Sequence, residues 1–139
     1  MSRAEILNRE LIKYRYLIEE TGTFLISGND AVARGAIEAG IRIAVSYPGT
    51  PASDILAAIS KVAKYHGIHA EWATNEKVAY EIAYAAALTG LRALFSSKHL
   101  GINVASDTIL VSAYTGVNGG LVIVSVDDIH PWSSQNAED

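Results

Sequence analysis

The sequence predicts an α/β fold in which a parallel sheet of about four to five strands is flanked by helices. Short apolar runs alternate with alanine-rich segments of helical spacing, and several of those segments end at a glycine. The last apolar run, Leu121–Val126, is nearly continuous in β-branched residues, which is typical of a strand buried on both faces. The length of 139 residues corresponds to one domain.

An amphipathic helix is predicted before the first strand, over residues 3–20. Its apolar residues recur at intervals of four, three and four and would share one face: Leu7, Leu11, Tyr14 and Ile18. Charged residues occupy much of the remaining surface of this segment. We therefore divide the chain into an N-terminal helix, residues 1–22, and a domain, residues 23–139.

The strand and helix units then follow one another in order. The predicted strands are residues 41–46, 68–73, 92–97 and 121–126. The predicted helices are residues 30–39, 52–66, 76–89 and 102–114. Asn29 is the expected N-cap of the first of these helices, and Thr74 or Asn75 that of the third.

Composition excludes several classes of protein. The net charge is -4 and the 11 basic residues are scattered, so no nucleic-acid-binding surface is indicated. The absence of cysteine rules out disulfides and a cysteine-ligated iron–sulfur cluster on this chain. No apolar run is long enough to cross a membrane, and no spacing of the four histidines predicts a metal site, so a cytoplasmic protein without its own metal is expected.

Four loops are expected to meet at one edge of the sheet, where ligands bind in folds of this kind. They follow the four strands: residues 47–51, 74–77, 98–103 and 127–136. The first is a rigid turn in which two prolines fix two φ angles; taken alone, such a motif is more often an ordinary strand-to-helix turn with Pro51 at the first helical position.

Glu76 and His99 are the titratable candidates in these loops. An acid at the start of a helix is common, since it interacts favourably with the helix dipole. A carboxylate at a strand-to-helix junction can also be tuned for proton transfer, which is the functional alternative for Glu76. A single histidine is more often structural than catalytic, and both readings remain open for His99.

Five segments, in this order and spacing, resemble the start of the α subunit of indolepyruvate ferredoxin oxidoreductase. They are residues 28–36, 47–51, 75–79, 114–120 and 133–139. Each motif is weak alone, but the five in register are specific. The resemblance runs from about residue 23 to residue 139 and implies the pyrimidine-binding domain of a thiamine-diphosphate-dependent 2-oxoacid:ferredoxin oxidoreductase.

The resemblance also implies roles for individual residues. Glu76 matches the glutamate that hydrogen-bonds the N1′ ring nitrogen of the cofactor and so activates it. The proline-flanked turn would contribute further cofactor-binding residues, Tyr47, Pro48 and Gly49. Two residues would face the substrate, Thr50 and His99. Residues 127–132 contain no arginine where pyruvate-type relatives have one, which favours an arylpyruvate substrate.

The family's diphosphate-binding half and cluster domain have no counterpart in these residues, so the fold is expected to be a truncated version of the thiamine-diphosphate-binding fold. Magnesium and iron–sulfur clusters would then belong to a partner domain or subunit, within an oligomer that delivers electrons to ferredoxin. Two alternatives remain: a noncatalytic truncated module or remnant that binds a partner, and the small subunit of a thiamine-dependent 2-oxoacid decarboxylase.

Overall fold

A four-stranded parallel sheet forms the centre of the protein, whose computed structural model describes residues 11–19 and 21–127. The strands are β1 (Ile43–Ser46), β2 (His69–Trp72), β3 (Ala93–Lys98) and β4 (Leu121–Val126), in the spatial order β2-β1-β3-β4. All three pairings are parallel, which confirms the predicted fold class.

Helices cover both faces of the sheet. They are α1 (Gly28–Glu38), α2 (Ser53–His66), α3 (Glu76–Leu88) and α4 (His99–Thr115). Successive strand residues point to opposite faces, so Leu94 packs with α2 whereas Phe95 packs with α3 and α4. The core therefore has two apolar layers, one on each side of the sheet.

The order of the strands creates one reversal in the winding of the chain. The chain leaves β1 through α2 toward β2, on the face that carries Leu94. It leaves β3 through α4 in the opposite direction, on the other face. The carboxyl ends of β1 and β3 are thus neighbours from which the chain departs in opposite directions, which is the usual position of a ligand site in an open α/β sheet.

β3 is the fully buried strand, whereas β4 lies at an edge of the described sheet. The sequence predicted that β4 would be buried on both faces, and for the described residues this prediction is wrong. Val122 is 54% exposed and Ile123 is 38% exposed. Within the described residues β4 pairs only with β3, so apolar side chains of β4 are exposed at this edge of the sheet.

Two helix starts differ from the prediction. Ser27, not Asn29, caps α1, because its hydroxyl accepts a hydrogen bond of 3.1 Å from the Asp30 N–H. The predicted loop over residues 98–103 does not form, since α4 begins at His99 directly after β3. The end of α2 follows the prediction: Gly67 adopts the left-handed conformation there, with φ of 65°.

Residues 12–17 form a 3-10 helix in place of the predicted amphipathic α-helix, and Tyr14 interrupts even this with non-helical dihedral angles. The rest of that prediction, residues 3–10 and 20, lies outside the described residues. Leu17 is completely buried, and its carbonyl lies 2.9 Å from His66 Nε2. Arg34 Nη1 donates to the carbonyls of Tyr16 and Glu19. These tertiary hydrogen bonds satisfy carbonyls of the segment and fix it to the domain.

The C-terminus of α3 is covered by the loop that leads into β4. The Gly119 N–H donates to the Ala87 carbonyl at 2.8 Å, and Asn118 Nδ2 donates to the Leu88 carbonyl at the same distance. This close approach of two backbones leaves no room for a side chain, since a Cβ on Gly119 would lie 2.1 Å from the Leu91 oxygen.

Replacement of Gly119 by alanine is expected to lower the free energy of unfolding by roughly 1–3 kcal/mol, because the added methyl meets fixed backbone atoms. Gly120→Ala is the matched control, since its Cβ would lie at an ordinary distance of 3.6 Å from Arg92 Cγ. Urea denaturation of the two variants measures the difference. Equal stabilities would contradict the proposed close approach.

The phenol of Tyr16 gives the N-terminal segment a pH dependence. Burial, followed by its hydrogen bond to Asp30, raises the pKa of Tyr16 to about 12. The folded chain therefore keeps a proton that the unfolded chain loses near pH 10, so this contribution to stability is complete below pH 10 and disappears as the pH rises to 12.

Between those pH values, the wild type should lose more stability than Tyr16→Phe. Denaturant unfolding of both proteins at a series of pH values measures this difference. Tyr114→Phe removes a phenol that is 93% exposed and serves as the control. Parallel stability curves for the wild type and Tyr16→Phe would refute the assignment.

Candidate active site at the carboxyl edge of the sheet

Buried serines lie at or near the carboxyl ends of the two central strands. Ser46 of β1 pairs with Ser96 of β3, and the Ser46 hydroxyl donates to the Ser96 carbonyl at 2.6 Å. Ser97, the next residue, is also completely buried. These hydroxyls hold the ends of β1 and β3 level with each other, so the segments that follow both strands emerge side by side.

The proline-flanked turn, residues 47–51, leaves the end of β1 and is fixed by hydrogen bonds to the starts of α1 and α2. The Gly49 N–H donates to Ser53 Oγ, and the Gly49 carbonyl accepts from the Ala52 N–H, both at 2.8 Å. Asn29 Nδ2 donates to the Pro51 carbonyl at 2.8 Å, which ties the turn to the start of α1. The Thr50–Pro51 peptide bond is cis.

The predicted turn residues differ in their exposure and surroundings. Tyr47, Pro48 and Thr50 are exposed, whereas Gly49 is partly buried. A Cβ on Gly49 would lie 3.5 Å from the β-carbon of buried Lys98, so the turn lies against the end of β3. The turn thus presents exposed groups beside a rigid backbone.

Glu76 reaches the same region from the opposite face of the sheet. It is the first residue of α3, and the Asn75 side chain caps that helix by accepting a hydrogen bond of 2.9 Å from the Val78 N–H. The Glu76 side chain is partly buried and lies across Gly101, next to Ser97. The Glu76 side chain therefore lies beside the end of β3 and the first turn of α4.

A line of polar contacts between α3 and α4 fixes the direction of both helices. Lys77 forms an ion pair with Asp107, and Thr108 Oγ1 donates to Glu81 Oε1 at 3.0 Å. Two tyrosine hydroxyls continue the line with hydrogen bonds from α3 to hydroxyls on α4, Tyr80 to Ser112 and Tyr84 to Thr115. These contacts hold α3 against the middle and the C-terminal part of α4.

His99 is 6% exposed and lies between the ends of β3 and β4. Its Nδ1 atom is 2.9 Å from Asp127 Oδ1, which is an ion-pair distance, although neither ring nitrogen makes a hydrogen bond of regular geometry within the described part of the chain. The imidazole is thus directed at a carboxylate of this chain.

The structure therefore brings several of the predicted residues together around the end of β3. Glu76 approaches from α3, the turn from β1, and His99 begins α4. Of the fourth predicted loop only Asp127 is described, because residues 128–136 lie outside the described residues. Sequence reasoning did not identify three contributors: Ser97, Gly101 and Asn29 as a brace of the turn.

The described residues contain neither a metal-binding cluster nor a helix that could cross a membrane. No group of three or more histidine, cysteine, aspartate or glutamate side chains is arranged to hold a metal ion within residues 11–19 and 21–127. None of the helices in that part of the chain has the length and hydropathy needed to cross a membrane.

Sequence comparison identifies close relatives. The chain is 52% identical over 115 residues to indolepyruvate oxidoreductase subunit IorA of Thermococcus kodakarensis, a match that covers 83% of this chain and 18% of that protein. It is 36% identical over 104 residues to ketoisovalerate oxidoreductase subunit VorB of Methanothermobacter thermautotrophicus, which covers 75% of this chain and 29% of that protein. No family model matches the chain.

The fold agrees with these relationships. A 2-oxoglutarate:ferredoxin oxidoreductase from Magnetococcus marinus superimposes with a TM-score of 0.72 at 21% identity, over 80% of this chain and 19% of that one. Fold and sequence together define a 2-oxoacid:ferredoxin oxidoreductase segment. The chain belongs to the indolepyruvate oxidoreductase IorA family, and it spans about a fifth of the length of the IorA relatives that it matches.

Replacement of Asn75 by alanine is expected to lower the free energy of unfolding by about 1 kcal/mol, because the Val78 N–H loses its acceptor at the start of α3. Asn75→Asp retains an acceptor oxygen and should stay close to the wild type. Thermal unfolding measures both variants. If Asn75→Ala is as stable as Asn75→Asp, the cap does not determine where α3 begins.

Proposed function

We propose that this chain supplies the pyrimidine-binding part of a thiamine-diphosphate-dependent 2-oxoacid:ferredoxin oxidoreductase of the indolepyruvate type, with Glu76 as the residue that activates the cofactor. The observation that carries the proposal is the direction of the Glu76 side chain. It lies against Gly101 and Ser97, partly buried, at the point where the winding of the sheet reverses.

The surroundings of Glu76 hold its side chain in a defined position. The carboxylate begins one helix and lies beside the first turn of another, in a partly buried position whose neighbouring Ser97 hydroxyl is completely buried. Its backbone is fixed by the Asn75 cap and by the ion pair of Lys77 with Asp107. A carboxyl group held in this way presents its oxygen at a constant position, as general acid–base catalysis requires.

When bound, thiamine diphosphate supplies a carbon nucleophile that attacks the keto group of a 2-oxoacid. Glu76 would hold a proton at the N1′ ring nitrogen of the aminopyrimidine, and proton transfer of this kind contributes about 10²–10⁴ in rate. Tyr47, Pro48 and Gly49 would line the cofactor on the opposite side, where the turn is rigid. Thr50, exposed at the end of that turn, would face the substrate carboxylate.

The role of His99 at the substrate stays a prediction. Its imidazole is buried, with Nδ1 2.9 Å from Asp127 Oδ1. A substrate contact would therefore involve a ring that lies beside a carboxylate of this chain. The absence of arginine in residues 127–132 continues to favour an arylpyruvate over pyruvate.

The proposal requires a partner domain or subunit. Magnesium needs oxygen ligands, and no group of three or more acidic, histidine or cysteine side chains in the described residues is arranged to hold a metal ion. Iron–sulfur clusters need cysteines that this sequence lacks. The partner would supply these groups and pass electrons to ferredoxin.

Exposed apolar residues near one edge of the sheet support this assembly. On β4 they are Val122 and Ile123, and on α4 they are Val104, Leu110, Val111 and Tyr114. Helix α4 contains no lysine, arginine or glutamate, and Asp107 is its only aspartate. A helix that is apolar around most of its circumference is normally covered by other protein.

Replacement of Glu76 by glutamine in the assembled oxidoreductase is expected to lower 2-oxoacid turnover by about 10²–10⁴, because glutamine cannot exchange a proton with the cofactor. The unfolding midpoint should stay close to the wild type. Glu81→Gln, on the same helix but directed at Thr108, is the matched control and should retain its turnover.

Ferredoxin reduction with indolepyruvate and thiamine diphosphate measures the rates, and the purified chain alone should give none. Wild-type turnover by Glu76→Gln would exclude Glu76 from the mechanism. An assembled protein that binds its partner but no thiamine diphosphate would favour the noncatalytic alternative.

A further inference from the structure

We infer that Gly101 is a positioning residue for Glu76: the missing side chain at position 101 provides the space in which the Glu76 side chain lies. A Cβ atom on Gly101 would be 2.4 Å from Glu76 Cγ and 3.1 Å from Glu76 Cδ. The same atom would be 1.9 Å from Ser97 Oγ. These separations are far below van der Waals contact, so any larger residue must displace its neighbours.

Both neighbours would have to move to admit such a residue. Ser97 is completely buried, and its hydroxyl donates to the Lys98 carbonyl at 2.8 Å. The closest Glu76 atom is Cγ, in the middle of the side chain, and the Glu76 backbone is fixed by the Asn75 cap. A methyl group at position 101 would therefore force the Glu76 side chain into a different rotamer, which redirects its carboxylate.

Helix propensity gives no other reason for glycine at this position. Gly101 lies inside α4 and does not adopt the left-handed conformation, so alanine would favour the helix. Gly35, inside α1, provides the comparison, because a Cβ there would have nothing within 4 Å. The two glycines differ in what they contact, and only Gly101 adjoins the candidate active site.

The catalytic consequence of this inference rests on the proposed function, whereas its geometric basis does not. Redirecting the Glu76 carboxylate would separate it from the position of the N1′ ring nitrogen, without removing a group that touches the cofactor diphosphate. The loss should therefore appear in kcat more than in the affinity for thiamine diphosphate. Misplacement of a catalytic group by about 1 Å can cost roughly 10²-fold in rate.

The geometry is tested first on the chain itself, without cofactor, by nuclear magnetic resonance. The wild type should show a nuclear Overhauser effect between the γ protons of Glu76 and the α protons of Gly101. Gly101→Ala should shift the Glu76 side-chain resonances, whereas Gly35→Ala should leave them unchanged. If Gly101→Ala leaves the Glu76 resonances at their wild-type values, the inference is wrong.

A second variant covers the case in which Gly101→Ala does not fold. Ser97→Ala combined with Gly101→Ala removes the hydroxyl that makes the shortest contact but retains the contact with Glu76 Cγ. We expect this double variant to regain stability while the Glu76 resonances remain shifted. Recovery of the wild-type resonances would show that Ser97, and not Glu76, determines the need for glycine.

The catalytic consequence is tested in the assembled oxidoreductase with a double-mutant cycle. Gly101→Ala should lower turnover roughly 10²-fold when Glu76 is present. In the Glu76→Gln background it should cause no further loss, because its effect acts through Glu76. Equal losses in both backgrounds would overturn the positioning role, whereas wild-type turnover by Glu76→Gln alone would refute the proposed function and leave the resonance experiment to decide the geometry.

Discussion

The parallel pairing of β1 with β3 is the constraint on which the candidate site depends. Its register sets Ser46 opposite Ser96, and the hydrogen bond from the Ser46 hydroxyl to the Ser96 carbonyl keeps the two strand ends level. Because the chain then leaves the two strands on opposite faces, a crevice opens between their carboxyl ends. A shift of one residue in this register would turn every side chain of β3 to the other face.

The site is assembled from segments that are distant in sequence. The turn after β1 is braced by Asn29 of α1, while Glu76 is held by its own cap and by the contacts between α3 and α4. Local rigidity on both sides of the crevice means that its polar groups are oriented before any ligand arrives. Such preorganisation is the usual source of catalytic efficiency in enzymes that act by proton transfer and charge stabilisation.

In the described part of the chain, one face of the sheet is covered by packed elements, whereas the β4 edge exposes apolar side chains. α1, α2 and the segment around Leu17 cover one face of the sheet, and Leu17 is completely buried there. At the other end of the sheet, β4 and α4 expose apolar side chains that include Val122 and Leu110. Exposed apolar patches of this kind commonly mark surfaces that contact other protein, and the chain spans about a fifth of the length of the IorA relatives that it matches.

The sequence by itself determined the alternation of strands and helices, the parallel sheet and the family. Hydrophobic periodicity and the glycines that end helices are local signals, carried by residues close together in the sequence. The predicted strands therefore agree with the structure to within a few residues. Tertiary structure decided which strand lies at an edge, where α4 begins, and that residues 12–17 form a 3-10 helix. It also decided that Gly101 lies against Glu76, because such contacts depend on how distant helices pack and no local pattern encodes them.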